Sequence, residues 1–330
     1  MKLRVWGVAM AMATNVAVAS AADIKPAVIL DLGGHKDPFD EMVNQAALQF
    51  QKDTGVAFDL KIIGKESDRE AFMEDYAAKG YDPIVAVAFS QAAAMAKAAK
   101  QHPQSRFVIL DGKVDLPNVQ SYVFREEEGA FIVGIAAAMK SGSGTIGFVG
   151  GMDIPPIHRF ACGYAQGAKY ANPNIKILSN MTGTTIAAFG DPAKGAKIAK
   201  SEIDQGADVI FAAAGLTGTG VYQAAADAGK FAIGVDANQN GLQPGHMLTS
   251  MVKRMDVAAI TSLKEARDGT WKGGVRSLGL AEGGVDWALD DENAALVSDA
   301  TKAKVEQAKK DIVAGTLKVH DYVTDNACPM

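Results

Sequence analysis

"PAVILDLGGHKDPFDEMVNQA", residues 26–46, starts as an apolar strand and ends as an amphipathic helix. The strand runs to Asp31. The helix starts where Asp37 can cap it, Pro38 suits the first helical position, and Asp40 and Glu41 lie in the first turn. Phe39, Val43, Ala46 and Phe50 fall on one face of that helix. Phe39 therefore reads either as core or, at the helix tip beside the strand end, as a ring able to stack on a flat ligand. Strand, tight turn and helix form the repeating unit of a parallel α/β sheet. Glycines in such a turn often cradle phosphate, but here acidic side chains already occupy the positive end of the helix.

The same unit recurs along the chain. Further apolar strands are expected at 56–62, 83–88, 106–111, 145–150, 175–179, 208–213 and 231–236. Helical segments alternate with them near 38–52, 68–79, 90–101, 127–140, 157–171, 192–205 and 216–228. The rhythm breaks twice. "NVQSYVF" follows the strand at 106–111 with no helix between, and "HMLTSMVKR" does the same after 231–236, ahead of a helix at 255–268. A glycine-rich extended stretch then leads to a last helix at 299–314. Two α/β lobes joined by several extended crossovers would give this order.

Residues 1–21 read differently. Lys2 and Arg4 precede a nearly continuous apolar run, and Ala19-Ser20-Ala21 offers small residues where a signal peptidase cuts. The mature chain is expected to begin at Ala22, in the periplasm, without a lipid anchor because no cysteine follows the cleavage point. Cys162 and Cys328 can pair in an oxidising compartment or remain as two thiols. A formal net charge of −5 and the lack of a basic patch argue against nucleic acid as a partner.

Four apolar runs end in an aspartate or just before one: "VILD" at Asp31, "VILDG" at Asp111, "FVGGMD" at Asp153 and "IGVD" at Asp236. Any one of them could be a turn or cap residue. Ligands of open parallel sheets bind beyond the carboxyl ends of the strands, so four together mark a crevice lined with carboxylates. Such a crevice repels anions and accepts hydrogen bonds from N–H and hydroxyl groups, as on a nucleoside, base or sugar. Lys253, at the end of a crossover strand, is the one base that this pattern places beside the acids.

Enzyme motifs are weak. "GSGTIG" (142–147) precedes a strand instead of following one. "GLTGTG" (215–220) follows a strand but has neither the dinucleotide glycine order nor a P-loop lysine. There is no nucleophile elbow and no metal-ligand spacing, and no cofactor is expected. The chain reads as a binding protein, with an enzyme acting on nucleosides as the minority alternative.

Several stretches together resemble the basic membrane protein family, the PnrA-like purine-nucleoside receptors of ABC importers. They are "FREEEGAFIVGIAAA" (124–138), "GFVGGMDIPPIHRFACGYAQGA" (147–168), "DVIFAAAGLTGTGVYQAA" (208–225), "AIGVDANQN" (232–240) and "LTSMVKR" (248–254). The resemblance implies a type I periplasmic-binding-protein fold, with two Rossmann-like lobes joined by a multi-strand hinge. Lobe 1 would take 22–124 plus about 255–270, and lobe 2 would take 125–250 plus about 275–330. It also implies a monomer that holds a purine nucleoside or base between the lobes and delivers it to a membrane permease; a receptor for another flat heterocycle, riboflavin-like for example, is the alternative. By resemblance Asp31 contacts the base and Phe39 stacks on it. Asp111 follows the fourth strand of lobe 1, Gly215 lies in the "A-G-x-T-G" loop, and Asp236 with Lys253 binds ribose hydroxyls. The turn before Phe39 is one residue shorter than the family's form, which weakens the placement of Asp31. Ala213-Ala214 stands where some members carry a second stacking ring, so that role falls to Phe189 of "TTIAAFGDPAKG" or to Met152.

Overall fold

The computed structural model describes residues 23–329, so the expected signal peptide at 1–21 lies outside the described residues. Two six-stranded sheets form the frame. The first contains β1 (Ala27–Leu30), β2 (Asp59–Ile62), β3 (Ile84–Val87), β4 (Phe107–Leu110), β5 (Val119–Phe124) and β11 (Gly274–Leu278), in the order β11-β5-β4-β3-β1-β2. The second contains β6 (Thr145–Met152), β7 (Lys176–Gly183), β8 (Val209–Ala213), β9 (Phe231–Asp236), β10 (Met247–Lys253) and β12 (Val285–Trp287), in the order β12-β10-β9-β8-β6-β7. All neighbours run parallel except β12, which pairs antiparallel to β10.

The inner strands are apolar on both sides because helices cover both faces of each sheet; β1, β3, β4 and β8 are buried throughout. α1 (Pro38–Thr54) and α8 (Met255–Arg267) pack together beside the first sheet, while α2 (Asp68–Ala78) and α3 (Ala92–Gln101) share a separate core on its other face. α4 (Glu126–Lys140), α5 (Pro155–Ala171) and α9 (Asp299–Val313) pack on one side of the second sheet, with α6 (Pro192–Asp204) and α7 (Gly218–Asp227) opposite. From Gly129 to Ala138 α4 is buried on every side, which is why this stretch reads as apolar all round with no stripe.

The chain crosses between lobes at β5–α4, β10–α8 and β11–β12. The first two are the places where the strand–helix rhythm broke in the sequence, and the third lies in the glycine-rich extended stretch. One boundary differs from expectation: β11 joins the first sheet beside β5, whereas about 275–330 had been given to lobe 2. A short strand between two glycine-rich segments carries no mark of which sheet edge it will meet.

Candidate ligand-binding site

The carboxyl ends of the two sheets face each other across a cavity of about 420 Å³. Asp31, Phe39, Asp111, Phe189, Gly215, Asp236 and Lys253 all line it. Met152 does not: it ends β6 paired with Gly183, and Ile154, Ile157 and Phe160 form the nearby wall instead.

Lys253 sits at the centre. Its side chain is 3% exposed, and its ammonium lies 3.1 Å from Asp111 Oδ1, 3.4 Å from Asp236 Oδ1 and 3.5 Å from Glu126 Oε1. The rings of Phe39, Phe160 and Phe124 surround it at 5.2, 5.4 and 5.7 Å. Burial alone would discharge this lysine, but Asp111, Asp236 and Glu126 outweigh that and hold its pKa above the ordinary lysine value. Burial raises the pKa of Asp236, which Lys253 only partly offsets, and the Lys253 ammonium is the one charged group that meets Asp236 Oδ1 among the described residues. Glu126, at the start of α4, was missed as a site residue, although the acid triplet of "FREEEGAF" directly after a crossover strand was the available signal.

The turn after β1 is built from within. The buried Asp40 carboxylate accepts the backbone N–H groups of Asp31 at 3.0 Å and Gly34 at 2.9 Å. Asp37 caps α1 by accepting the Phe39 N–H at 3.1 Å. Val43, Ala46 and Phe50 face the core, while Phe39, a turn earlier, is half-buried and faces the cavity. Burial, reinforced by the carboxylates of Asp236 and Asp31, raises Asp37 to about 6 against the Phe39 hydrogen bond. Asp31 lines the cavity, but its carboxylate is already engaged. Arg69 donates to Oδ1 through Nη2 at 2.9 Å and Nε at 3.3 Å, and Ser90 donates to Oδ2 at 2.6 Å. Neither partner was expected from the sequence, and no local pattern links them to Asp31.

Ser90 belongs to the turn after β3, where Ala88 has φ 80° and ψ 148°. That region is nearly confined to glycine and costs an L-residue about 1–3 kcal/mol.

On the facing lobe, Phe189 closes a 3₁₀ turn at Ile186–Phe189 with its ring against Gly151, where any Cβ would collide with it. Gly215 has φ 53°, and a Cβ there would lie 3.2 Å from Asp37 Oδ2 of the first lobe. The two lobes therefore touch where a side chain would hold them apart. Asp153, grouped with the crevice acids by sequence, points elsewhere: its side chain is 50% exposed and meets His158 at 2.7 Å.

The floor of the cleft is tied to the chain's end. Arg159 donates to Glu126 Oε2 and the Phe124 carbonyl through Nη1, and to both Asp321 oxygens through Nε and Nη2. A disulfide joins Cys162, one turn along α5 from Arg159, to Cys328 in the same tail.

Residues 24–322 match the family described as ABC transporter substrate-binding protein PnrA-like. The chain belongs to this family. As a PnrA-like protein it is a substrate-binding component of an ABC transporter, which implies a small-molecule ligand and a permease partner. It is 38% identical to an uncharacterized lipoprotein of Pyrococcus horikoshii, over 81% of this chain and 69% of that one. It is 32% identical to a Lactococcus lactis protein named ABC transporter nucleoside-binding protein BmpA, over 90% and 89%. Among solved structures, an ABC transporter solute-binding protein from Aeropyrum pernix shares the fold at a TM-score of 0.81 and 29% identity, with 90% of this chain and 93% of that chain covered. These relatives correct one expectation. Three Pyrococcus members of comparable similarity are named lipoproteins, so the reading of a periplasmic protein without a lipid anchor is overturned. That reading rested on a missing cysteine after residue 21, in a segment outside the described residues.

Proposed function

We propose that this PnrA-like protein receives a purine nucleoside or purine base between its lobes and passes it to the importer's permease, without covalent chemistry. The observation that carries the reading is the buried Lys253 amid Asp111, Asp236 and Glu126, directly beside the Phe39 ring. A flat heterocycle would lie on Phe39, with Phe189 approaching from the opposite lobe, and the Asp236 carboxylate, which lines the cavity, would accept an N–H or hydroxyl. Clustered carboxylates disfavour a phosphorylated ligand by like-charge repulsion. The name of the Lactococcus relative, a nucleoside-binding protein, points the same way.

Thermal-shift and calorimetric titration with nucleosides, purine bases, a flavin, sugars and amino acids tests this, because a ligand that binds the folded state raises the melting temperature by mass action. Purine nucleosides or bases are expected to shift it, and a response only to another class would refute the reading. Mass analysis of the recovered ligand should find it unaltered; turnover would make the protein an enzyme.

A further inference from the structure

The turn after β3 (Ala88–Gln91) is anchored on all sides except one. Ala88 N–H donates to the Leu110 carbonyl at 2.9 Å, and Gln91 N–H to the Ala88 carbonyl at 3.2 Å. The buried Gln91 amide reaches the carbonyls of Ile29 at 3.1 Å and Val87 at 2.8 Å, and so clips the turn to the ends of β1 and β3. Ser90 donates to Asp31, which Arg69 holds from behind. The strained Ala88 backbone persists because these contacts over-determine it. The exception is the Phe89 side chain, which lines the cavity yet remains 38% exposed.

A large ring held open at the rim by a strained turn gains burial once something flat occupies the cavity. We infer that Phe89 is a ligand-contact residue that covers the ligand's ring at the cleft rim, and that Asp31 is a positioning residue. The Asp31 carboxylate acts through Ser90 to fix the turn that aims Phe89. The inference rests on the proposed reading that the ligand is a flat heterocycle.

The test uses the whole mature protein and calorimetry or stopped-flow with adenosine, adenine, a flavin and ribose. Phe89→Ala should leave the melting temperature of the ligand-free protein unchanged, because the ring is half exposed. Affinity for the heterocycle should fall roughly tenfold, mostly through faster dissociation. Phe89→Tyr should restore it. Ala88→Gly, which relieves the backbone strain, should keep or raise the melting temperature and still weaken binding several-fold. Ser90→Ala should weaken binding alone and add nothing in the Phe89→Ala background, since it acts through the same ring. If the wild type binds a purine or flavin and Phe89→Ala binds it equally well, the inference is overturned while the functional reading stands. Additive effects of Ser90→Ala and Phe89→Ala would overturn the positioning role. A wild type that binds only ribose would overturn both.

Discussion

β4 and β9 hold the third place in their sheets, and each leads to an aspartate with a left-handed backbone, Asp111 at φ 62° and Asp236 at φ 63°. Both carboxylates meet Lys253. β1 and β6 hold the fifth place, and there the likeness ends. Asp31 is locked to Arg69 and Ser90 inside its lobe, and Asp153 turns outward to His158. An aspartate at a strand end is thus no ligand group by position alone. What sets Asp111 and Asp236 apart is that their strands adjoin the strands that cross between the lobes, where the buried Lys253 stands between the two carboxylates. Asp31 and Asp153 end strands that adjoin no crossing strand.

Removing the shared cation should break this comparison most severely. Lys253→Met would leave Asp111 and Asp236 without their shared cation and Glu126 with Arg159 alone. Loss of one partner from a buried ion pair costs about 3–5 kcal/mol. The expected outcome is loss of measurable ligand binding with a clear drop in melting temperature, and retention of both would remove Lys253 from the centre of the site.

Next in size, Asp31→Asn and Asp236→Asn should part company. The Asp31 change strips a buried guanidinium of its charge partner and should lower stability by about 2–4 kcal/mol in urea unfolding. The Asp236 change replaces a carboxylate that burial already disfavours and should leave stability nearly unchanged. Its cost should appear in ligand affinity, at about 1.5–3 kcal/mol for a lost charged hydrogen bond. Equal stability losses in the two variants would erase the distinction. Phe39→Ala is expected to weaken purine binding by about 1–3 kcal/mol in a folded protein. Unchanged calorimetric affinity would return Phe39 to the core.

A smaller effect concerns pH. The folded pKa of Asp37, about 6, lies above its ordinary 3.8. The stability linked to its protonated form is therefore complete below pH 3.8 and lost as pH rises through 6. Asp40, which burial raises to about 7, has the same sign and extends the slope upward. The difference in melting temperature between wild type and Asp37→Asn should change between pH 4 and 6 and level off above; asparagine preserves the cap. A difference that stays flat across this range would mean that Asp37 is not desolvated. Least of all, Met152→Leu should leave affinity untouched, and a loss of binding would put Met152 back in the site.

Much of the fold was legible because strand, helix and break follow from chain-local periodicity. The lone failure, β11, is a short strand whose place depends on which sheet edge the crossover reaches. The lining of the cavity was legible where a residue's placement follows from its own element, as with Phe39 at the tip of α1 or Lys253 at the end of β10. It was illegible where the role depends on a distant partner. Arg69 lies 38 positions from Asp31 and Ser90 lies 59, and no period connects them. Phe89 was hidden differently: it sits in an alanine-rich stretch, and the backbone strain that aims it has no sequence signal when the strained residue is not glycine.

Lys253 ends a strand of the second sheet, on the same lobe as Asp236 and Glu126, while Asp111 belongs to the first. Any separation of the lobes must break the 3.1 Å contact to Asp111 and can spare the other two. The cleft therefore has an electrostatic latch whose two halves become hydrated charges on opening. Dissolved ions stabilise those separated, hydrated charges more than the buried pair. Ionic strength, acting on this single contact between the lobes, thus becomes a means of setting how readily the cleft opens.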